Sequence, residues 1–149
     1  MTIYRRILAV VDLSQDSAEV AGRAQAIATA CGGAPLELLH VVEYVPVEPL
    51  GDALMPSVQI ESELLERARD RMAKLADSLS SPPPPWRVET GNVKAEIMRH
   101  ARESKAELIV IGSRERHGLS ILVNLTEDTV LHAAPCDVLA VRLTPSKPS

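Results

Sequence analysis

Two stretches of this chain hold residue types whose spacing could do chemistry. Asp12 ends the apolar run Ile7-Leu8-Ala9-Val10-Val11. A carboxylate at the end of a buried strand can bind a ribose hydroxyl or a metal. The same residue can instead fold back in an Asx-type turn leading into Ser14, and spacing alone leaves the two readings even. The second stretch is Gly112-Ser113-Arg114-Glu115-Arg116-His117-Gly118, which follows another apolar run. A glycine-containing connection between strand and helix can offer backbone N–H groups to phosphate, although two glycines also suit an ordinary connection. No Gly-Lys-Ser/Thr follows, so this is not a Walker A loop, and the dinucleotide-binding fingerprint is absent as well.

The remaining reactive side chains form no catalytic pattern. His40 lies inside an apolar run, His100 and His132 fall on helical stretches, and His117 sits in the glycine loop, where a ligand could reach it. For the first three, a satisfied core or surface histidine is the better reading. There is no HExxH and no nucleophile elbow. Cys31 and Cys136 are far apart, have no evident base and lack zinc-finger spacing, so they read as two buried thiols in a reducing cytosol. From motifs alone an enzyme is unsupported.

The elements that must position these residues can be read from apolar periodicity. Ile7–Val11, Leu36–Val42 and Leu108–Ile111 are short β-branched runs of the kind covered on both faces of a sheet. The last of them ends at Gly112-Ser113. Gln15–Cys31 carries Val20, Ala24, Ile27 and Ala28 on one helical face, with Ser14 as its expected N-cap and Gly32-Gly33 as its stop. Tyr44–Pro56, with three prolines and a glycine, reads as a loop, and Ser57–Leu79 as a long amphipathic helix ended by Pro82–Pro85. Trp86–Thr90 alternates apolar and charged, which suits an edge strand with one wet face. Asn92 is placed to cap a helix buried through Val93, Ile97 and Ala101. Leu119, Leu122, Val123, Val130 and Ala133 mark a last helix, and Val138–Val141 a last strand.

Strictly alternating strands and helices predict a parallel sheet with helices on both faces. Such sheets bind ligands at the carboxyl ends of their strands, near the point where strand order reverses. At 149 residues, one domain over residues 1–144 with a flexible tail at 145–149 is the expected organisation. Sixteen Lys+Arg against twenty Asp+Glu give a net charge of −4, and with Tyr4, Tyr44 and Trp86 as the only aromatics there is little for nucleic acid to bind or stack on. No apolar run approaches membrane-spanning length, and the first residues lack a signal peptide's apolar region. Nucleic acid and membrane are thereby set aside, and a cytoplasmic location is expected.

These segments in this order resemble the universal stress protein (UspA) family. The resemblance is carried by Ile7–Val11 with Asp12-Leu13-Ser14, Leu38-Leu39-His40-Val41-Val42, Thr90-Gly91-Asn92, Ala106–Ser113 and Ala134–Val141, and it spans residues 3–142. It implies a five-stranded sheet of order 3-2-1-4-5, a homodimer and a cytoplasmic role in stress resistance. The family has a branch that binds ATP and a branch that does not. In the ATP-binding branch the fourth strand is followed by Gly-x2-Gly-x9-Gly-Ser/Thr. Gly112 matches the first glycine, but Glu115 stands at the second, and Asn124-Leu125 fall at the final pair with one residue missing between. At an effective dielectric near 20, like charges about 4 Å apart repel by roughly 4 kcal/mol, so Glu115 opposes a triphosphate, with Arg114 and Arg116 as partial compensation. Asp12 and Val41 match the positions that meet ribose and adenine in that branch.

The resemblance and these departures from it together point to a homodimeric stress-response module, for signalling or for binding a protein partner, joined through the 138–142 edge strand, with weak or no ATP binding. The alternative is a switch or slow ATPase that takes ATP or AMP with magnesium at Asp12, Val41, Gly112, Ser113, Arg114 and Gly118. Autophosphorylation would arise only in that second case.

Overall fold

The computed structural model describes residues 3–43, 54–114, 130 and 132–143, with backbone alone at 54–59 and 114. Its elements are β1 (Ile7–Val10), α1 (Ser17–Ala30), β2 (Leu36–Val42), α2 (Leu54–Leu79), β3 (Trp86–Thr90), α3 (Val93–Glu103), β4 (Leu108–Arg114) and β5 (Asp137–Leu143). The strands form one sheet in the order β3-β2-β1-β4-β5, and every neighbouring pair is parallel. This is the α/β architecture and strand order implied by the resemblance.

The all-apolar strands lie centrally because both of their faces are covered. On one face Ile7, Ala9, Leu38 and Val110 pack beneath α1 and α2 through Val20, Ala24, Met72 and Ala76. On the other, Leu8, Val10, Leu39 and Ile109 meet Ile97, Met98 and Ala101 of α3, together with Val130. Val130, His132 and Ala133 are helical; the rest of the expected last helix, like the tail, lies outside the described residues.

Three expectations shift. The first helix begins at Ser17, and its N-cap residue is Asp16 rather than Ser14. Residues 12–16 are used to turn the chain: Ser14 Oγ accepts from the Asp16 amide at 3.3 Å, outside the helix proper. The second helix begins at Leu54, three residues before the expected start, so Pro56 lies in its first turn. Amides there have no intrahelical partner, and a proline with none to offer is tolerated; residues 44–53 of the expected loop lie outside the described residues. The fourth strand runs on to Arg114 because Gly112, Ser113 and Arg114 pair with Val141, Arg142 and Leu143 of β5.

Both glycines expected to stop α1 do so, at φ +83, with the Gly33 amide donating to the Ala28 carbonyl at 3.0 Å. Asn92 caps α3, its Oδ1 accepting from the Ala95 amide at 2.9 Å. No helix among the described residues is long and apolar enough to cross a membrane.

Candidate functional site

Parallel pairing carries the carboxyl ends of β2, β1 and β4 to one end of the sheet. Val10 lies level with Leu39 on one side and Ile111 on the other, so Asp12, Val41, Gly112 and Ser113 all follow just beyond the same line. The sheet brings these four together. Arg114 ends β4, where its backbone pairs with Leu143. Gly118 lies outside the described residues, as do Glu115, His117, Asn124 and Leu125.

Asp12 is exposed, and its Oδ1 accepts from the Ser14 amide at 3.0 Å and from the buried Ser17 hydroxyl at 3.1 Å. The Asx-type turn is thus formed. Between those partners Leu13 takes φ 61, a left-handed conformation that costs a residue with a Cβ roughly 1–2 kcal/mol. Asp12 binds both sides of that strained turn and so fixes how β1 hands over to α1.

Val41 is buried and belongs to the α3 side of the core. Its neighbour His40 points to the other face. There the ring is half-buried, and Nδ1–H donates to the Val11 carbonyl at 2.8 Å. Burial pushes the His40 pKa below its ordinary value, with the Val11 hydrogen bond and the Asp12 charge opposing it. The histidine is satisfied, as its place in an apolar strand suggested.

Gly112 stands where a side chain has no room. A Cβ there would lie 2.9 Å from Leu143 Cδ1 and 3.1 Å from Val20 Cγ2. Both neighbours are buried in the core beneath α1, and Val20 is stiff at χ1. Close packing accounts for this glycine without any ligand. Because β4 extends past it, Gly112 and Ser113 are strand residues rather than the start of a loop.

A family model described as the universal stress protein family matches residues 3–142 of this chain. The chain belongs to the universal stress protein family. Universal stress protein A homolog 1 of Coxiella burnetii is 36% identical over 139 residues, covering 93% of this chain and 96% of its own length. Among solved structures, the universal stress protein UspA from Lactobacillus plantarum superposes with a TM-score of 0.78 at 26% identity, covering 93% of this chain and 98% of its own. A universal stress protein in complex with cAMP shares the fold at a TM-score of 0.57 and 23% identity, with 93% and 96% covered. Membership supports a role in the stress response for this family member.

A second polar group, at the carboxyl end of β3, was missed by the reading of the sequence. Glu89 was expected on a wet strand face, but its face is the one α3 covers, next to Val41 in register. Glu89 Oε1 lies 3.4 Å from Nε2 of His100 on α3, and Glu96 Oε2 lies 4.0 Å from the same nitrogen. Arg99 joins them, donating to Glu96 and to both oxygens of Glu103. The Glu96 hydrogen bond raises the guanidinium pKa above its ordinary value. The one sequence signal was the four-residue step from Glu96 to His100, which sets both on one helix face. The thiols are free but half-buried rather than fully buried; burial pushes Cys136 upward, helped by Asp137.

Proposed function

We propose that this family member acts in the stress response as a homodimeric signalling or partner-binding module that binds ATP weakly or not at all. The observation that carries this is Glu115, a carboxylate in the segment directly after Gly112, where ATP-binding relatives place a glycine and bring the triphosphate against backbone. Asn124-Leu125 at the position of the final Gly-Ser/Thr pair supports the same reading. So does the packing of Gly112 against Leu143 and Val20, since the one glycine retained is needed by the core whether or not a phosphate binds.

The dimer would form through β5. That strand is at the sheet edge, and Val138, Leu139 and Ala140 are only half-buried. Antiparallel pairing of residues 138–142 with a second copy would satisfy both edges under twofold symmetry.

The second reading is an ATP- or AMP-binding switch, with magnesium, at Asp12, Val41, Gly112, Ser113, Arg114 and Gly118. What favours it is the convergence of Asp12, Val41 and Gly112 at adjacent strand ends. Calorimetric titration with ATP, ADP, AMP and cAMP, with and without magnesium, separates the two. The first reading expects no ATP binding below about millimolar concentration, and Glu115→Gly improving ATP affinity by about tenfold, equivalent to roughly 1.4 kcal/mol. Submillimolar ATP binding by the wild type would establish the second reading instead. Binding of AMP without ATP would show a working nucleoside half beside a defective phosphate half.

A further inference from the structure

We infer that Glu89, Glu96 and His100 form a binding site for a divalent transition-metal ion, with Zn2+ the best match, and that Arg99 is the resident cation the metal displaces. Each of the three residues offers one donor atom, and the three atoms lie within 4.8 Å of one another. Around a tetrahedral zinc, ligand atoms at their usual bond lengths stand about 3.3–3.5 Å apart. The His100–Glu89 separation of 3.4 Å already meets that spacing, and the His100–Glu96 separation of 4.0 Å exceeds it by an amount one small side-chain adjustment would close.

The scaffold is preformed. Glu96 and His100 are one turn apart on α3, which is fixed at its start by the Asn92 cap. Glu89 is held on β3, which returns through Gly91, whose amide donates to the Val42 carbonyl at 3.1 Å. His100 is 3% exposed and set among the apolar residues of the α3 core, so its imidazole has little freedom and little competing water.

Arg99 shows that the cluster accepts a cation, and its geometry shows that the cation can leave. Its NH2 group lies 3.3 Å from His100 Nε2. Nε2 is thus the ring nitrogen that faces the cluster, and the atom a metal would take. The same guanidinium also contacts Glu89 at 3.9 Å and Glu96. Its NH1 is already bonded to Glu103 at 3.3 Å, and the side chain is 45% exposed. Arg99 can therefore swing onto Glu103 when a metal arrives. The charges then balance: two carboxylates face a divalent ion, and Arg99 faces Glu103. One imidazole with two carboxylates selects Zn2+ and its first-row neighbours over Mg2+, which prefers an octahedron of oxygens and keeps its water.

The test is Zn2+ titration of the metal-free full chain against a chromophoric chelator, with far-UV circular dichroism on every variant. Wild type should bind one Zn2+ in the micromolar range, unaffected by millimolar Mg2+. Glu89→Gln and His100→Gln should each weaken binding by about tenfold or more, and Arg99→Met should tighten it several-fold by removing the competing cation. Should the buried His100 variant fail to fold, Glu89→Gln gives the same readout from the strand side. Zinc affinity unchanged in folded Glu89→Gln would overturn the site. So would the absence of saturable binding in both wild type and Arg99→Met. A weaker Arg99→Met would overturn the displacement, and competition by Mg2+ at equal concentration would overturn the donor-set assignment.

Discussion

The two edges of the sheet are built differently. β5 runs Val138-Leu139-Ala140-Val141 without a charge, and its charged flanks Asp137 and Arg142 stay outside the run. β3 instead alternates. Trp86 and Val88 pack against the α2 side of the core, while Arg87 faces water and pairs with Glu37 at 3.8 Å, and Glu89 is taken up by α3. Among the described residues each of these strands has a neighbouring strand on one side alone, but charges interspersed along a strand make it a poor template for another chain. Edge position alone therefore does not mark an interface. The side chains that line the edge decide whether it stays solvated or pairs.

The largest expected effect comes from giving β5 the character of β3. Val138→Lys places a charge within the apolar run, at its first residue, and its long stem can still cover the apolar surface beneath it while the ammonium reaches water. Dimer affinity should fall by about a hundredfold or more, roughly 2.7 kcal/mol, with secondary structure kept. Sedimentation or light scattering at tens of micromolar checks it. A folded variant that remains fully dimeric would move the interface elsewhere, as would a wild type that is monomeric there.

Next in size is Gly112→Ala, which tests how tightly β5 is held to the rest of the sheet. The added Cβ must displace Leu143 or Val20. Overpacking of this kind costs typically 1–3 kcal/mol, read as a lower midpoint in urea unfolding. An unchanged midpoint would mean that β5 moves freely enough to absorb a methyl group, and the packing account of this glycine would fail.

The fold was legible because continuous apolar runs and helical stripes alternate, and an alternation of that kind admits few topologies. The same alternation placed Asp12 and Gly112 at strand carboxyl ends, whereas the neighbouring of those ends and the place of Val41 beside them came from the family resemblance. What escaped was of two kinds. Helix and strand ends shifted where local hydrogen bonds overrode propensity, as with Asp12 taking the Ser14 amide and β5 drawing β4 out to Arg114. The Glu89 cluster escaped because it depends on which face of an edge strand a helix covers. Alternation within Trp86–Thr90 shows that the strand has two faces but does not say which of them α3 will cover.

The β3 side of the sheet can also be tested from within. His40 lies level with Val88 of β3, and burial pushes its pKa below the ordinary 6.5. The unfolded chain then takes up the His40 proton at higher pH than the folded one. Between the two pKa values the unfolded state holds more protons, so stability rises with pH. Its stabilising contribution is full above pH 6.5 and falls as pH drops below it. Urea unfolding at pH 7.5, 6.5 and 5.5 should show this decline, and His40→Asn should remove part of it. Equal slopes in variant and wild type would mean that water reaches the ring in the folded protein, and that this side is less well covered than β3's packing indicates.

The smallest effect is expected at Arg87. Its side chain is 60% exposed and its partner Glu37 26% exposed, so water and salt screen most of the attraction between them. Exposed pairs of this kind contribute about 0–1 kcal/mol, and a separation of 3.8 Å places this one toward the lower end. Arg87→Ala should thus leave the unfolding midpoint nearly unchanged, with any difference shrinking further in high salt. It should also leave the association state unchanged, because Glu89 stays on the strand and α3 still covers its carboxyl end. The role of Arg87 is then to keep a face wet rather than to hold the strand in place. If Arg87→Ala instead produced species larger than the dimer at tens of micromolar, one exposed charge would be what separates a closed edge from an open one. The contrast between β3 and β5 would then rest on residue 87 rather than on the helix above it.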